Sequence, residues 1–294
     1  SGTNGDPGGS GGPGASGNRG ASGEAGGAGS SGAPGNNGIT GAAGGLGAAL
    51  CRRFAARGAR IAAMDRDREK LDMLVASLPA GSLAIAGDLS DPAVCQDAIE
   101  RTVARFGALD GLVNNAGISH RSLLADTDPA VIRRVMEVNF FGAMQMTHAA
   151  LPHLLASRGI VTAISSVAGY APLFGRTGYS ASKHALHGFF DTLRTEVADQ
   201  GVDVMLVCPS FIATGIGSAA LGGQGGPATA ARITTGGESQ PGDIAARIVE
   251  AIGHRRTLLL PDRTSRLAWW VRKFAPGYYA HTMKRRVRAE FQIH

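Results

Sequence analysis

The sequence predicts an α/β fold, a doubly wound parallel sheet with helices on both faces. Two observations carry this. From residue 39 onward, apolar runs of four to six residues alternate with longer segments whose apolar positions recur at helical spacing. Several of the runs end in Gly, Asp or Asn, the kind of residue that lines the crevice at the carboxyl edge of such a sheet. Composition agrees. Of the 294 residues 44% are hydrophobic and 18% charged, enough to bury a core and too apolar for a wholly disordered chain. No apolar run approaches the ~20 residues of a membrane span.

In chain order, residues 1–38 come first and stand apart. They hold sixteen of the 44 glycines, one at every third position from Gly2 to Gly38. Strict triplets suggest collagen. Pro7, Pro13 and Pro34 are the only prolines there, against the ~15–20% a collagen-like chain carries. The expectation is a Gly-rich, disordered, low-complexity head, with a trimerising stalk as the alternative. Residues 39–262 are expected to form one domain. Within it, 60–64, 83–86, 111–114, 160–165, 204–208 and 257–260 read as buried strands, and segments near 45–57, 67–77, 92–106, 129–157, 179–200 and 242–253 as helices.

The turn Thr40-Gly41-Ala42-Ala43-Gly44-Gly45-Leu46-Gly47 opens directly into the first helix. A glycine-rich turn there lets backbone approach a pyrophosphate and aims free N–H groups and the positive dipole end at it. Asp65 ends the next strand, eighteen residues past Gly47, where a carboxylate accepts hydrogen bonds from a ribose. Gly87-Asp88-Leu89 and Asn114-Asn115-Ala116-Gly117 end the two after it. Further on, Tyr179 and Lys183 stand four apart, on one face of a helix. An adjacent ammonium is expected to lower the phenol's pKa from near 10 and so make a general acid/base. Ser166, after a strand, could hydrogen-bond the same substrate oxygen. Asn139 is a poor helix former inside a long helical segment.

The 40–47 turn, Asp88, the Asn114-Asn115-Ala116-Gly117 stretch, Asn139, Ser166 and Tyr179-Ser180-Ala181-Ser182-Lys183 together resemble the short-chain dehydrogenase/reductase family over about residues 39–262. The resemblance implies a Rossmann-like domain and an NAD(P)-dependent oxidoreductase acting between a hydrophobic secondary alcohol and a ketone. It implies catalytic roles for Asn139, Ser166, Tyr179 and Lys183, with Asn139 holding a water linked to Lys183 and Lys183 holding the nicotinamide ribose. Spacing to Tyr179 favours Ser166 over Ser165 as the family's serine. The cofactor contacts it implies are Thr40, Gly41, Gly45, Leu46, Gly47, Asp65, Arg66, Asp88, Leu89, Asn115, Ala116 and Gly117. To these it adds Tyr179 and Lys183 themselves, and Pro209, Ile212 and Thr214 beside the nicotinamide. Ser210 stands where the family has Gly. Residues 215–240 would form a substrate lid, and dimers or tetramers are typical. NAD is expected over NADP, because Asp65 repels a 2′-phosphate more than Arg66 attracts it. His120, Tyr170 and Phe174 either line the substrate cleft or are ordinary loop residues.

One departure stands out. A central strand should be a near-continuous apolar run, and before the turn only Ile39 qualifies, after Pro34, Gly35, Asn36, Asn37 and Gly38. The first strand is therefore expected either to be missing or to form through tertiary contacts alone. That opens two other readings: a catalytically impaired nucleotide-binding module, and a structural protein that works through its head.

The tail, residues 263–294, is expected as a basic amphipathic extension. Residues 255–290 hold ten Arg or Lys against Asp262 and Glu290, so the net +6 of the chain is local and gives no argument for a nucleic-acid-binding core. Leu267, Trp270, Val271 and Phe274 form a helical stripe before Pro276-Gly277 breaks it. That stripe either packs on the domain or a neighbouring subunit, or lies on an anionic membrane surface. Cys51, Cys95 and Cys208 are widely spaced and odd in number, which argues against a disulfide framework and a metal site. With no charged-then-apolar leader at Ser1-Gly2-Thr3, a cytoplasmic location is expected.

Overall fold

The stretch least suited to a sheet centre occupies it. In the computed structural model, which describes residues 35–229, 234 and 237–291, β1 runs Asn36–Thr40 with every residue buried. It pairs in parallel with β2 (Arg60–Asp65) on one side and β4 (Gly111–Asn114) on the other. The first strand is thus present, which decides between the two alternatives in favour of a strand formed through tertiary contacts, and the last three residues of the predicted head belong to the domain.

Its neighbours supply what its composition lacks. The Asn36 backbone N–H donates to Asp110 Oδ2 (2.7 Å), and its side-chain Oδ1 accepts from Arg60 Nε (2.8 Å). The Asn37 side chain fills space that Gly111 leaves, since a Cβ there would overlap Asn37 Oδ1. Over Gly38 the side chains of Leu112 and Met64 close in. Polar strand residues are tolerated where each polar atom is bonded and each gap filled.

Seven parallel strands follow the order β3-β2-β1-β4-β5-β6-β7, with β3 at Leu83–Ala86, β5 at Ile160–Ile164, β6 at Asp203–Val207 and β7 at Leu258–Leu259. On one face α1 (Gly45–Ala55) packs on α7 (Pro241–Gly253), with α2 (Arg68–Ala76) alongside. On the other, α3 (Pro92–Phe106) packs on α5 (Gly142–Ser157), and α6 (Thr177–Val197) completes the layer. Both sheet faces are covered, as an all-parallel sheet requires.

Three expectations change. The helix expected across 129–157 is two, α4 (Pro129–Met136) and α5, joined by a π-helical turn at Glu137–Phe141 that buries Asn139. Such a turn inserts an extra residue and re-aims side chains, and these turns gather at functional sites. The tail forms α8 (Arg263–Phe274) and α9 (Pro276–Val287). Pro276 ends one and starts the other, because a proline costs nothing at a first helical position. Finally, the stripe does not pack on the domain as a unit. Ser265, Ala268 and, on α9, Tyr279 face inward, while Leu267, Trp270 and Phe274 are 57–69% exposed.

No described helix is long and apolar enough to cross a membrane, and no metal-ligating cluster occurs among the described residues. The expected head, apart from Gly35–Gly38, and part of the expected 215–240 lid lie outside the described residues.

Candidate active site

The carboxyl ends of the strands open into a cleft of about 620 Å³. One end is backbone. The turn after β1 reaches α1 through Gly44, which caps the helix with no side chain, and no acidic residue lies in the first turn. The N–H groups of that first turn and the helix dipole face the cleft with no acidic residue within the turn. The glycines are needed: a Cβ on Gly47 would overlap the Gly41 carbonyl, and one on Gly41, whose φ is +62°, would stand 2.7 Å from Ala116 Cα.

Asp65 lies beside the turn, with Oδ2 accepting from Ala43 N (2.9 Å) and Oδ1 from Asp67 N (3.0 Å). Arg66 and Lys70 line the same end, and Asp67 holds Lys70 in an ion pair. Asp88 accepts from the backbone and hydroxyl of Ser90, which hold its carboxyl below the usual range. Leu89, Asn115, Ala116, Gly117, Pro209, Ile212 and Thr214 all line the cleft as expected. Thr40 does not. It is buried under the turn, where its hydroxyl accepts from Asn115 N (2.9 Å) and Ala116 N (3.0 Å) and so ties the ends of β1 and β4.

The other end is side chains. Ser166 and Tyr179 share it, with the Ser166 hydroxyl in hydrogen-bonding reach of the phenol. Ser165 also borders the cleft, but its hydroxyl donates to the Lys183 carbonyl (3.3 Å), and it is Ser166 that acts on the phenol. Lys183 Nζ donates to the Ile164 carbonyl (2.8 Å) and stands 5.7 Å from the Tyr179 ring centroid. Burial depresses its pKa to about 8. For Tyr179 the sign of the expectation is reversed. Burial raises the phenol, and the opposing effects come from Ser166 and Arg176 rather than Lys183, whose ammonium lies against the ring.

Asn139 is buried beside the cleft, not in it. Its Oδ1 accepts from Ile118 N (2.7 Å) and its Nδ2 donates to Ile118 O (2.9 Å) and Ser182 Oγ (3.0 Å). It clamps the loop after β4 to α6. Asn139 Oδ1 and Lys183 Nζ nonetheless flank Gly117, 3.2 and 3.6 Å from where a Cβ would stand. Of the three loop residues, none lines the cleft. His120 is buried under α6, accepting from Tyr179 N (3.3 Å). Tyr170 donates to Ser265 O (2.7 Å), and Phe174 packs edge-on against Phe291.

Sequence reasoning missed three contributors. Arg121 and Arg176 line the cleft while more than nine-tenths buried. Arg176 stands three residues before Tyr179, a helical neighbour, and that spacing was a usable signal. Asp262 caps α8 through Ser265 N (2.7 Å) and also accepts from Ser210 N (2.9 Å), tying the tail to the loop after β6. Its place before the helical stripe marks a cap locally, but nothing local marked its bond to Ser210.

The sequence profile of the short chain dehydrogenase family matches residues 38–222. The chain belongs to that family. As a short-chain dehydrogenase it is an oxidoreductase of a family that binds a nicotinamide cofactor. It is 37% identical over 248 residues to Dehydrogenase/reductase SDR family member 7B of Bos taurus, which covers 81% of this chain and 76% of the relative. A Dehydrogenase/reductase SDR family protein 7-like of Anopheles gambiae is 37% identical over 226 residues, 76% of this chain and 71% of that one. A crystal structure of a short-chain dehydrogenase from Streptomyces avermitilis superposes with a TM-score of 0.75 at 28% identity, over 88% of this chain and 98% of the other. The short-chain dehydrogenase's uncapped glycine turn, paired with a carboxylate at the end of β2, fits a dinucleotide.

Proposed function

We propose that the protein interconverts a hydrophobic secondary alcohol and its ketone, using NAD in preference to NADP. The observation that carries this is the Tyr179–Ser166 pair in the same cleft as the glycine turn. When bound, the dinucleotide supplies or accepts the hydride. The first turn of α1 receives its pyrophosphate, and Asp65, each of whose oxygens keeps a free lone pair, receives a ribose. Ser166 orients the substrate oxygen. Tyr179 gives that oxygen a proton in ketone reduction and takes one back in alcohol oxidation. Burial keeps the phenol protonated at neutral pH, which suits the reducing direction. Lys183 is positioned for the second ribose, and the space over Gly117 suits a water between Lys183 and Asn139. Val138, Leu173, Phe211 and Ile216 supply apolar surface around the reacting end.

The test is NADH oxidation with a panel of hydrophobic ketones. Tyr179→Phe should cost ~10²–10⁴-fold in turnover while dinucleotide binding persists. Binding without turnover in the unaltered protein would favour the impaired-module reading instead. NAD preference rests on the Asp65 carboxylate against the exposed Arg66. A tenfold lower KM for NADP would overturn it.

The exposed face of the tail favours a second reading. Trp270 stacks on Phe274 (5.5 Å) with Lys273 Nζ over the Phe274 ring (5.6 Å), and Leu267, Tyr278, Arg266, Lys284 and Arg285 are exposed on the same two helices. We propose that this face rests on an anionic lipid surface, where aromatic rings sit at headgroup depth and cations meet lipid charge. Full-length protein should co-sediment with anionic vesicles at low salt, and Trp270→Glu should weaken that. A concentration-dependent doubling of mass without vesicle binding would show a second copy there instead.

A further inference from the structure

A smaller cavity of about 200 Å³ opens off the cleft, with Ser166, Leu173, Ser210 and Phe211 bordering both. Beyond that neck the walls are Ala268 and Val271 of α8 and Tyr279 and Met283 of α9, so the chamber is apolar. Sites that hold a whole small ligand measure ~300–1,000 Å³, so this one takes part of a ligand. Along α9, Tyr278, Thr282 and Arg286 repeat at four-residue spacing on the chamber side. Arg286 therefore stands about 12 Å along the helix from Tyr278. It has no partner among the described residues. A guanidinium bordering an otherwise apolar chamber discriminates among tails of equal size by the charge at their ends.

We propose that this chamber holds the substrate's tail and that Arg286 receives an anionic end group. The substrate class is then an alcohol or ketone with a compact apolar tail ending in a carboxylate or phosphate. The proposal rests on the oxidoreductase reading of the adjoining cleft. The tail helices, rather than the sheet, set specificity.

Binding separates the two ideas, because it needs no turnover. Hexanoate, hexyl phosphate and 1-hexanol would be titrated calorimetrically into the full-length protein without dinucleotide. The tighter anion should bind about fivefold better than the alcohol, the upper range for an exposed ion pair. Arg286→Gln should erase that difference and Arg286→Lys keep it. Ala268→Trp should abolish binding of all three, with retained dinucleotide binding as proof of folding and Ala268→Leu as the milder variant. Either anion's preference supports the proposal and identifies the end group. No binding by any of the three, equal affinities, a difference that survives Arg286→Gln, or undiminished binding in both Ala268 variants overturns it. Should Tyr179→Phe leave turnover intact, the oxidoreductase reading fails while these binding results stand by themselves.

Discussion

The two ends of the cleft are built differently. The nucleotide end is backbone: an uncapped helix start, glycines packed so closely that a Cβ collides, and one carboxylate held by two backbone N–H groups. The substrate end is side chains: Ser166 after β5 and Tyr179 and Lys183 of α6 in the cleft, with α8 and α9 lining the chamber beside it. Backbone recognition tolerates no added atom. Side-chain recognition stores its function in buried charge, and so works against stability.

The largest separation of the two should come from Lys183→Met. Turnover should fall ~10²–10⁴-fold, yet the fold should gain about 1–3 kcal/mol at pH 7. The sign follows from a native pKa near 8 against 10.5 unfolded. Between those values the unfolded chain binds the extra proton, so wild-type stability is lowest below pH 8 and rises as pH climbs to about 10.5. Calorimetry across that range, beside steady-state rates, reads both. A loss of stability in the variant would break the contrast.

Gly47→Val attacks the other end, and here function and fold should fall together. Its Cβ cannot clear the Gly41 carbonyl. Dinucleotide affinity should drop roughly 100-fold and stability by about 2–4 kcal/mol, measured by titration and thermal melting. Unchanged affinity would mean that the turn does not carry the cofactor.

Acid should act through the substrate end. Burial lowers His120 to about 4 from 6.5, so the unfolded chain is protonated first and native stability falls as pH drops from 6.5 toward 4. The loss should reach about 2 kcal/mol at pH 5 and loosen the Tyr179 backbone that His120 holds. His120→Asn should flatten that limb in urea melts taken at successive pH values; a limb that persists would assign it elsewhere.

The smallest effect tests β1. A methyl on Gly38 would meet Leu112 and Met64 at 3.4 Å, ordinary contact. Gly38→Ala should stabilise by about 0.5–1 kcal/mol without touching kinetics. Destabilisation would show that the strand has no room to spare.

Much of the nucleotide end was legible because its signals are local. Small residues at fixed offsets around a turn report what the backbone must do, and the 40–47 turn, Asp65, Asp88 and Asn115 all lie where the reading put them, with Thr40 a strut instead of a wall. The sequence alone determined the alternation of strands and helices, the Tyr179–Lys183 face and the basic tail. It could not decide β1, because Asn36, Asn37 and Gly38 are poor strand residues whose bonds and packing come from Asp110, Arg60, Gly111 and Leu112, far along the chain. Nor could spacing show that Lys183 would sit against the Tyr179 ring, with burial pushing the phenol up. The same holds for the tail, where periodicity marks an amphipathic helix but not which residues turn inward. Only the packed fold put Ala268 and Tyr279 inside and left Trp270 and Phe274 in solvent. Burial is a property of neighbours, and those neighbours lie on segments distant in sequence.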